Sequence, residues 1–380
     1  MSHIYIESRD FADALFDDLD GAKRIALDCE AAGFHRYSDR LCLIQLTVAD
    51  QTYILDPLSF DPSEILRRPL EDPAVEVLMH GADFDLRLLS RDLGIKLRGL
   101  SDTQIYAALI GEEGLGLQSL LESRLGVKLS KKYQRADWAQ RPLTESMLEY
   151  AAEDTRHLGR LAGLLLDDLE RLGRMEWAAE ECRALESVAE DSGEEDEGDP
   201  VTRVKGARDL SPRQVTALRE ALAWRDEIAR QKDRAPFRVI GEPPLVEAVA
   251  RKPRRAEELL DIRGFPKRLA HSDGKELIRR LHAVTELPDE ALVPYPKHDN
   301  RGPARPPPEV EARFRRLKDI RNRVADELEL PRGTLLANAV LTEIAREEPR
   351  TRDELLAVDG MRQWKADALG DRLLEEVARG

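Results

Sequence analysis

Residues Ile25-Ala26-Leu27-Asp28-Cys29-Glu30 put two acids into what otherwise reads as a buried strand. Side chains two apart on a strand share a face, so Asp28 and Glu30 point one way while Leu27 and Cys29 point the other. Two like charges on a core strand are costly unless something positive sits between them, and a divalent metal is the natural occupant. The competing reading is a polar strand end at the rim of a sheet. A metal centre needs further acids downstream, at spacings that reach the same point.

The rest of the amino-terminal half supplies a frame for that strand. A short strand over His3–Ile6 and a helix over Asp10–Leu19 precede it. Strands over Arg24–Glu30, Leu41–Val48 and Thr52–Asp56 follow so closely that an antiparallel meander is expected. The apolar run Val75–His80 ends at Gly81 and feeds into Phe84, Leu86, Leu88, Leu89 and Leu93 at helical spacing, closed by Gly94. That is the start of a β-α-β crossover. From Ser101 to Leu172 the pattern reads as helical throughout. Strands first and helices after predict an α/β domain with a mixed sheet over residues 1–188.

Beyond it, residues 190–199 (EDSGEEDEGD) are acidic and lack large apolar side chains, which predicts a disordered linker over 189–207. The remainder is helical and repeats itself: Trp224–Ala229 matches Ile320–Ala325, and Pro253–Gly264 matches Pro349–Gly360, both at an offset of 96 residues. Two all-α modules are expected, over 208–290 and 308–380, joined by a stiff Pro-rich linker over 291–307.

The net charge of -15 would discourage a nucleic-acid partner, but it is unevenly spread. Residues 1–200 hold 22 basic and 42 acidic residues, whereas 201–280 hold 20 and 12. One module is therefore locally basic. Three Cys without a pairing pattern, no basic or apolar start and no long apolar run predict a cytoplasmic protein with no membrane partner; no obligate protein partner is evident in the sequence.

Two further segments can complete a metal centre. Asp85 falls in the first turn of the helix after the Val75–His80 strand, at the edge of a sheet where α/β sites form. It could equally complement the helix dipole, although Asp83 is better placed to cap. Tyr150 and Asp154 lie four apart on one face of a helix beginning near Thr144, and such a pair is either structural or part of a site. Glu153 and Arg156 face elsewhere, toward solvent.

Asp28-x-Glu30, then Phe84-Asp85, then Tyr150-x-x-x-Asp154, in this order, resemble the three exonuclease motifs of the DEDD superfamily in its tyrosine branch. The segments YSDRLCLIQL, HGADFDLRLL, LSDTQIYAALIG and QRADWAQRPLTESMLEYAAEDTRHL resemble the ribonuclease D family, and the two repeats resemble the helicase-and-ribonuclease-D carboxyl-terminal (HRDC) module. The resemblance implies a ribonuclease H-like exonuclease domain and a metal-dependent 3′-5′ exoribonuclease. Such an enzyme would trim tRNA precursors and other small structured RNAs, releasing nucleoside 5′-monophosphates. It implies two ions, Mg²⁺ or Mn²⁺, with Asp28 bridging them, Glu30 and Asp154 completing one site, Asp85 holding the other, and Tyr150 orienting the attacking water. Cys29 replaces the Thr frequent in the superfamily, and Gly81 and His80 stand where many relatives carry an Asn; His80 is a candidate donor in its place.

Candidate RNA contacts are Lys131, Lys132 and Arg135 near the site, and Arg251, Lys252, Arg254, Arg255, Arg263, Lys267 and Arg268 in the first module. The first three could equally form an exposed loop anchored by Trp138. The second module, neutral overall, is expected to act as a spacer or clamp. Alternative functions are a 3′-5′ DNA exonuclease, or a catalytically silent RNA-binding protein.

Overall fold

A computed structural model of the chain describes residues 3–191, 198–296 and 307–379. It divides into two compact units, one of residues 1–30, 41–193 and 304–380, the other of residues 31–40 and 194–303. The centres of both expected linkers, 192–197 and 297–306, lie outside the described residues.

The first unit is built on a six-stranded sheet. Its strands are β1 (His3–Ile6), β2 (Arg24–Ala31), β3 (Leu41–Val48), β4 (Gln51–Leu55), β5 (Glu76–Met79) and β6 (Leu100–Asp102), in the order β1-β4-β3-β2-β5-β6. The β3–β4 pair is antiparallel, whereas β1 on β4, β5 on β2 and β6 on β5 are parallel, so the sheet is mixed as expected. β3 is apolar almost throughout and buried on both faces, the mark of a strand covered on each side. β6 falls where the sequence pattern reads as helical: three residues are too short to display an alternation, and their pairing comes from β5 across a crossover. The helix Asp83–Leu93 closes on Gly94, whose φ of 62° is the left-handed turn that glycine adopts at least cost.

The second unit encloses a core of Trp224, Ile228, Leu245, Leu259 and Leu277. Its long helix Pro212–Gln231 starts with a capping box between Ser211 and Gln214. Val201, Val204 and Ala207 are buried in the same core, so residues expected in the acidic linker belong to the module. The helices Pro212–Gln231, Pro236–Val239 and Glu242–Arg251 recur as Pro308–Glu327, Arg332–Leu335 and Asn338–Glu347, each 96 residues on. Among the described residues no helix is long and apolar enough to cross a membrane.

The second repeat is not a spacer, because it belongs to the first unit. It docks on the helix Met175–Asp191, where Trp177 and Trp364 stack with ring centroids 4.5 Å apart. Glu180 accepts from the backbone N–H groups of Gln363 and Trp364, at 2.6 and 3.0 Å, and the indole N–H of Trp364 donates to Glu181 at 2.8 Å. Buried Arg174 donates to the carbonyls of Leu109 and Leu328, one on each side of the junction. Trp364→Ala removes a buried ring and its indole hydrogen bond to Glu181, which keeps Lys365 at 2.8 Å. It is expected to lower the stability of this unit by about 3–5 kcal/mol, read as a lower denaturation midpoint.

Candidate active site

β2 carries Asp28 and Glu30 on one face, with Leu27 and Cys29 buried on the other. The helix Glu145–Arg156, capped by the Thr144 hydroxyl on the Met147 N–H, brings Tyr150 and Asp154 over that face. One carboxylate oxygen from each of Asp28, Glu30 and Asp154 lies within 4.8 Å of the others. Asp85, 7% exposed in the first turn of Asp83–Leu93, is close enough for its charge and that of Asp28 to act on each other.

Burial is the main force on all four carboxyls, and the charges of neighbouring carboxylates add to it at Glu30, Asp85 and Asp154. Asp28 is pushed up to about 7 and Asp154 to about 8, the latter by burial and then by the charges of Asp28 and Glu153. Glu30 is raised well above the usual carboxylate range by burial and by Asp28, Asp154 and Asp85. Asp85 is raised by burial, then by Asp28 and Asp102. The hard oxygen donors fit Mg²⁺ or Mn²⁺ better than softer metals.

Side chains that the motif spacing does not reveal hold these pieces in place. Asp102, 1% exposed, accepts from the N–H groups of Gly81 and Ala82, just before the Asp85 helix, and from Gln104 and Ile105 at the start of its own. Asp83, the expected cap, instead pairs with Arg87 at 2.7 Å. Asp102 wins because its side chain stands at the end of β6, beside the turn, whereas Asp83 already lies inside the helix. Gly81 has φ +69°, a left-handed conformation that glycine adopts at least cost. His80 places Nδ1 2.9 Å from Thr103 Oγ1, and burial depresses its pKa despite the charge of Asp102. One ring nitrogen is thus already engaged.

The approach to the Tyr150 helix is fixed by Arg141. Its guanidinium donates to both oxygens of fully buried Asp56 at 2.6 and 2.7 Å, and to the carbonyls of Trp138, Gln140 and Cys42. Asp56 also accepts from Tyr5 and Ser59. Buried Trp138 in turn sets its ring 6.0 Å from that of Tyr150, and Tyr133 stands 6.0 Å away from the same ring, edge to face. Thr155 ties the helix to β3 through Thr47 at 2.8 Å. Burial and the charges of Asp154, Glu30 and Asp28 push the Tyr150 hydroxyl up, so it remains a phenol.

Arg156 is not solvated as expected: it is half-buried and pairs with Glu149 and Glu153, since at the helix end it can span both acids. Lys131, Lys132 and Arg135 are exposed around a surface cavity of about 600 Å³, with Trp138 buried beneath the loop. In the second unit, Arg251, Lys252, Arg254 and Arg213 line a cavity of about 380 Å³ with His282. Arg254 and Arg255 line another of about 650 Å³ with Lys275, Arg279 and His282. Arg251 also pairs with Glu247, and Arg255 with Glu258. Arg263, Lys267 and Arg268 are exposed at and before the helix Lys267–Ser272. Arg213, Lys275, Arg279 and His282 escape a reading by sequence runs because they sit on other helices.

A family model for a 3′-5′ exonuclease matches residues 3–170, and the HRDC domain model matches residues 214–281 and 310–377. Ribonuclease D of Pseudomonas paraeruginosa is 30% identical over 359 residues, covering 93% of this chain and 92% of its own length. Ribonuclease D of Xanthomonas oryzae is 33% identical, covering 84% of this chain and 86% of its own. The crystal structure of Escherichia coli ribonuclease D, described as an exoribonuclease involved in structured RNA processing, superposes with a TM-score of 0.70 at 25% identity, over 100% of this chain and 99% of that one. With its repeats, its mixed sheet and relatives that match nearly its full length, the chain belongs to the ribonuclease D family of 3′-5′ exoribonucleases.

Proposed function

We propose that Asp28, Glu30, Asp85, Tyr150 and Asp154 form the hydrolytic centre, and that the chain trims the 3′ ends of tRNA precursors and other small structured RNAs. The observation that carries this reading is the meeting of the Asp28, Glu30 and Asp154 oxygens within 4.8 Å, with Asp85 beside them. Involvement of the Escherichia coli relative in structured RNA processing supports the substrate class.

Asp28, Glu30 and Asp154 would hold one divalent ion, and Asp28 and Asp85 a second. Bound there, the ions lower the pKa of water and stabilise the leaving oxygen of an in-line displacement. The residues do the rest. Tyr150, kept protonated by burial and by its acidic neighbours, orients the attacking water by hydrogen bonding and does not act as the base. Attack at the last phosphodiester releases a nucleoside 5′-monophosphate and leaves a new 3′-hydroxyl. The division of labour puts catalysis in the exonuclease domain and RNA capture in the first helical module, whose core includes Val201, Val204 and Ala207. The second module, docked on the helix Met175–Asp191, belongs with the exonuclease domain. Lys131, Lys132, Arg135 and His80 would contact RNA near the centre. Arg251, Lys252, Arg254, Arg255, Arg263, Lys267 and Arg268 would grip its backbone farther along.

Incubation with a 3′-extended tRNA and Mg²⁺ is expected to yield 5′-mononucleotides and a shortened RNA, and EDTA to stop the reaction. Asp28→Asn and Asp154→Asn should abolish turnover with the melting temperature retained. Tyr150→Phe should bind metal normally but hydrolyse on the order of 10²-fold more slowly; wild-type rates in any of these variants would sink the assignment. Carboxyls at about 7 and about 8 must shed protons to bind a cation. The Mn²⁺ affinity should therefore rise with pH from 6 to 8.5, with protons released on binding, as calorimetry in two buffers of different ionisation enthalpy would show. Reversing Arg254, Arg255, Lys275 and Arg279 to Glu should weaken RNA binding. Each lost phosphate contact should reduce the slope of log affinity against log salt by about 0.7–0.9; an unchanged slope would exclude this face.

A further inference from the structure

Tyr133 is the outermost of three aromatic rings that share one neighbourhood. Trp138 is buried below Tyr150, with centroids 6.0 Å apart and planes at 33°; Tyr133 lies 6.0 Å from Tyr150 at 75°, and is only partly covered. Its hydroxyl is fixed to Ser146 Oγ at 2.7 Å, in the first turn of the Tyr150 helix, so the ring is held at one edge. The ring helps line the surface cavity of about 600 Å³, together with Lys131, Lys132, Arg135, Gln140 and Met147. Lys132 Nζ stands over the ring, 4.8 Å from its centroid.

An anchored, partly exposed aromatic ring with cations around it has the chemistry of a single-strand nucleic-acid subsite. Every base offers a π face to such a ring, and the ammonium and guanidinium groups meet the phosphates on either side. The cavity falls within the volume range of small-ligand sites. We propose that Tyr133 stacks on a base next to the scissile phosphodiester, and that Lys132 and its basic neighbours hold the adjoining phosphates of a single-stranded RNA 3′ end. The base takes the place of the Lys132 ammonium on the ring, and that ammonium moves to a phosphate. Stacking on Tyr133 then sets the 3′ end against Tyr150 without reading sequence, as an enzyme that removes each nucleotide in turn requires. This subsite rests on the assignment of Tyr150 to the hydrolytic centre.

The test compares the full chain with its Tyr133→Leu and Tyr133→Phe variants, with Mg²⁺, on 5′-labelled single-stranded RNAs. One RNA is intact, one has an abasic residue at its last position and one at its next-to-last. The wild-type chain is expected to lose roughly tenfold in kcat/KM, mainly through KM, at one of the two abasic positions, the weight of one base–aromatic stack. Tyr133→Leu should lose the same factor on intact RNA and nothing further on the abasic RNA. Tyr133→Phe should keep the discrimination of the wild type. If Tyr133→Leu discriminates as the wild type does, or the wild type ignores both abasic positions, the base contact is overturned. A loss confined to kcat and equal on all three RNAs would overturn it too, leaving Tyr133 as a support for Tyr150 alone. Tyr150→Phe reports separately on the hydrolytic centre, since its loss should be equal on intact and abasic RNA.

Discussion

Four carboxylates drawn together in a half-buried place repel one another, and burial makes the repulsion worse. The upward shifts of Asp28, Glu30, Asp85 and Asp154 record that cost. The folded chain must therefore spend stability elsewhere to keep them converged. It does so with supports that involve none of the four. Asp102 gathers four backbone N–H groups where β5 and β6 end, and fixes the start of the Asp85 helix. Arg141 and Asp56 form a bidentate pair that clamps the segment leading into the Tyr150 helix, and Thr47 and Thr155 tie that helix to β3. A buried ion pair adds little net stability, yet breaking one is costly; that combination suits an element whose task is to be in one place.

Much of this was legible from residue order. The two-residue period of a strand put Asp28 and Glu30 on one face, and the four-residue period of a helix did the same for Tyr150 and Asp154. What lay beyond reach were partnerships across long separations. Asp102 reaches back 20 residues to Ala82, and Arg141 pairs across 85 residues with Asp56, so no local pattern announces either. Asp83 looked like a cap because it opens a helix, but the turn before it is closed from another strand. β6 was lost because three residues carry no period.

The two copies of the repeat share a core and differ in surface charge. At the constant offset of 96, Arg251 and Lys252 correspond to Glu347 and Glu348, and Lys275 and Arg279 to Asp371 and Glu375. Basic positions of the first copy are acidic in the second, while the buried sets built on Trp224 and Leu259 recur as Ile320 and Leu355. Cores were kept and surfaces were rewritten. Exposed Arg268, in particular, corresponds to Trp364, the ring that docks the second copy.

That docking makes the catalytic unit discontinuous in the chain: residues 304–380 complete what residues 1–193 begin. During synthesis the exonuclease fold emerges first, with Trp177 lacking the Trp364 ring and Glu180 and Glu181 lacking their donors, and it stays so until more than a hundred further residues have been made. Domains that emerge early generally fold as units and carry any exposed apolar surface while they wait. The nuclease unit thus reaches its finished state only once the helices between residues 308 and 379 have been made and docked.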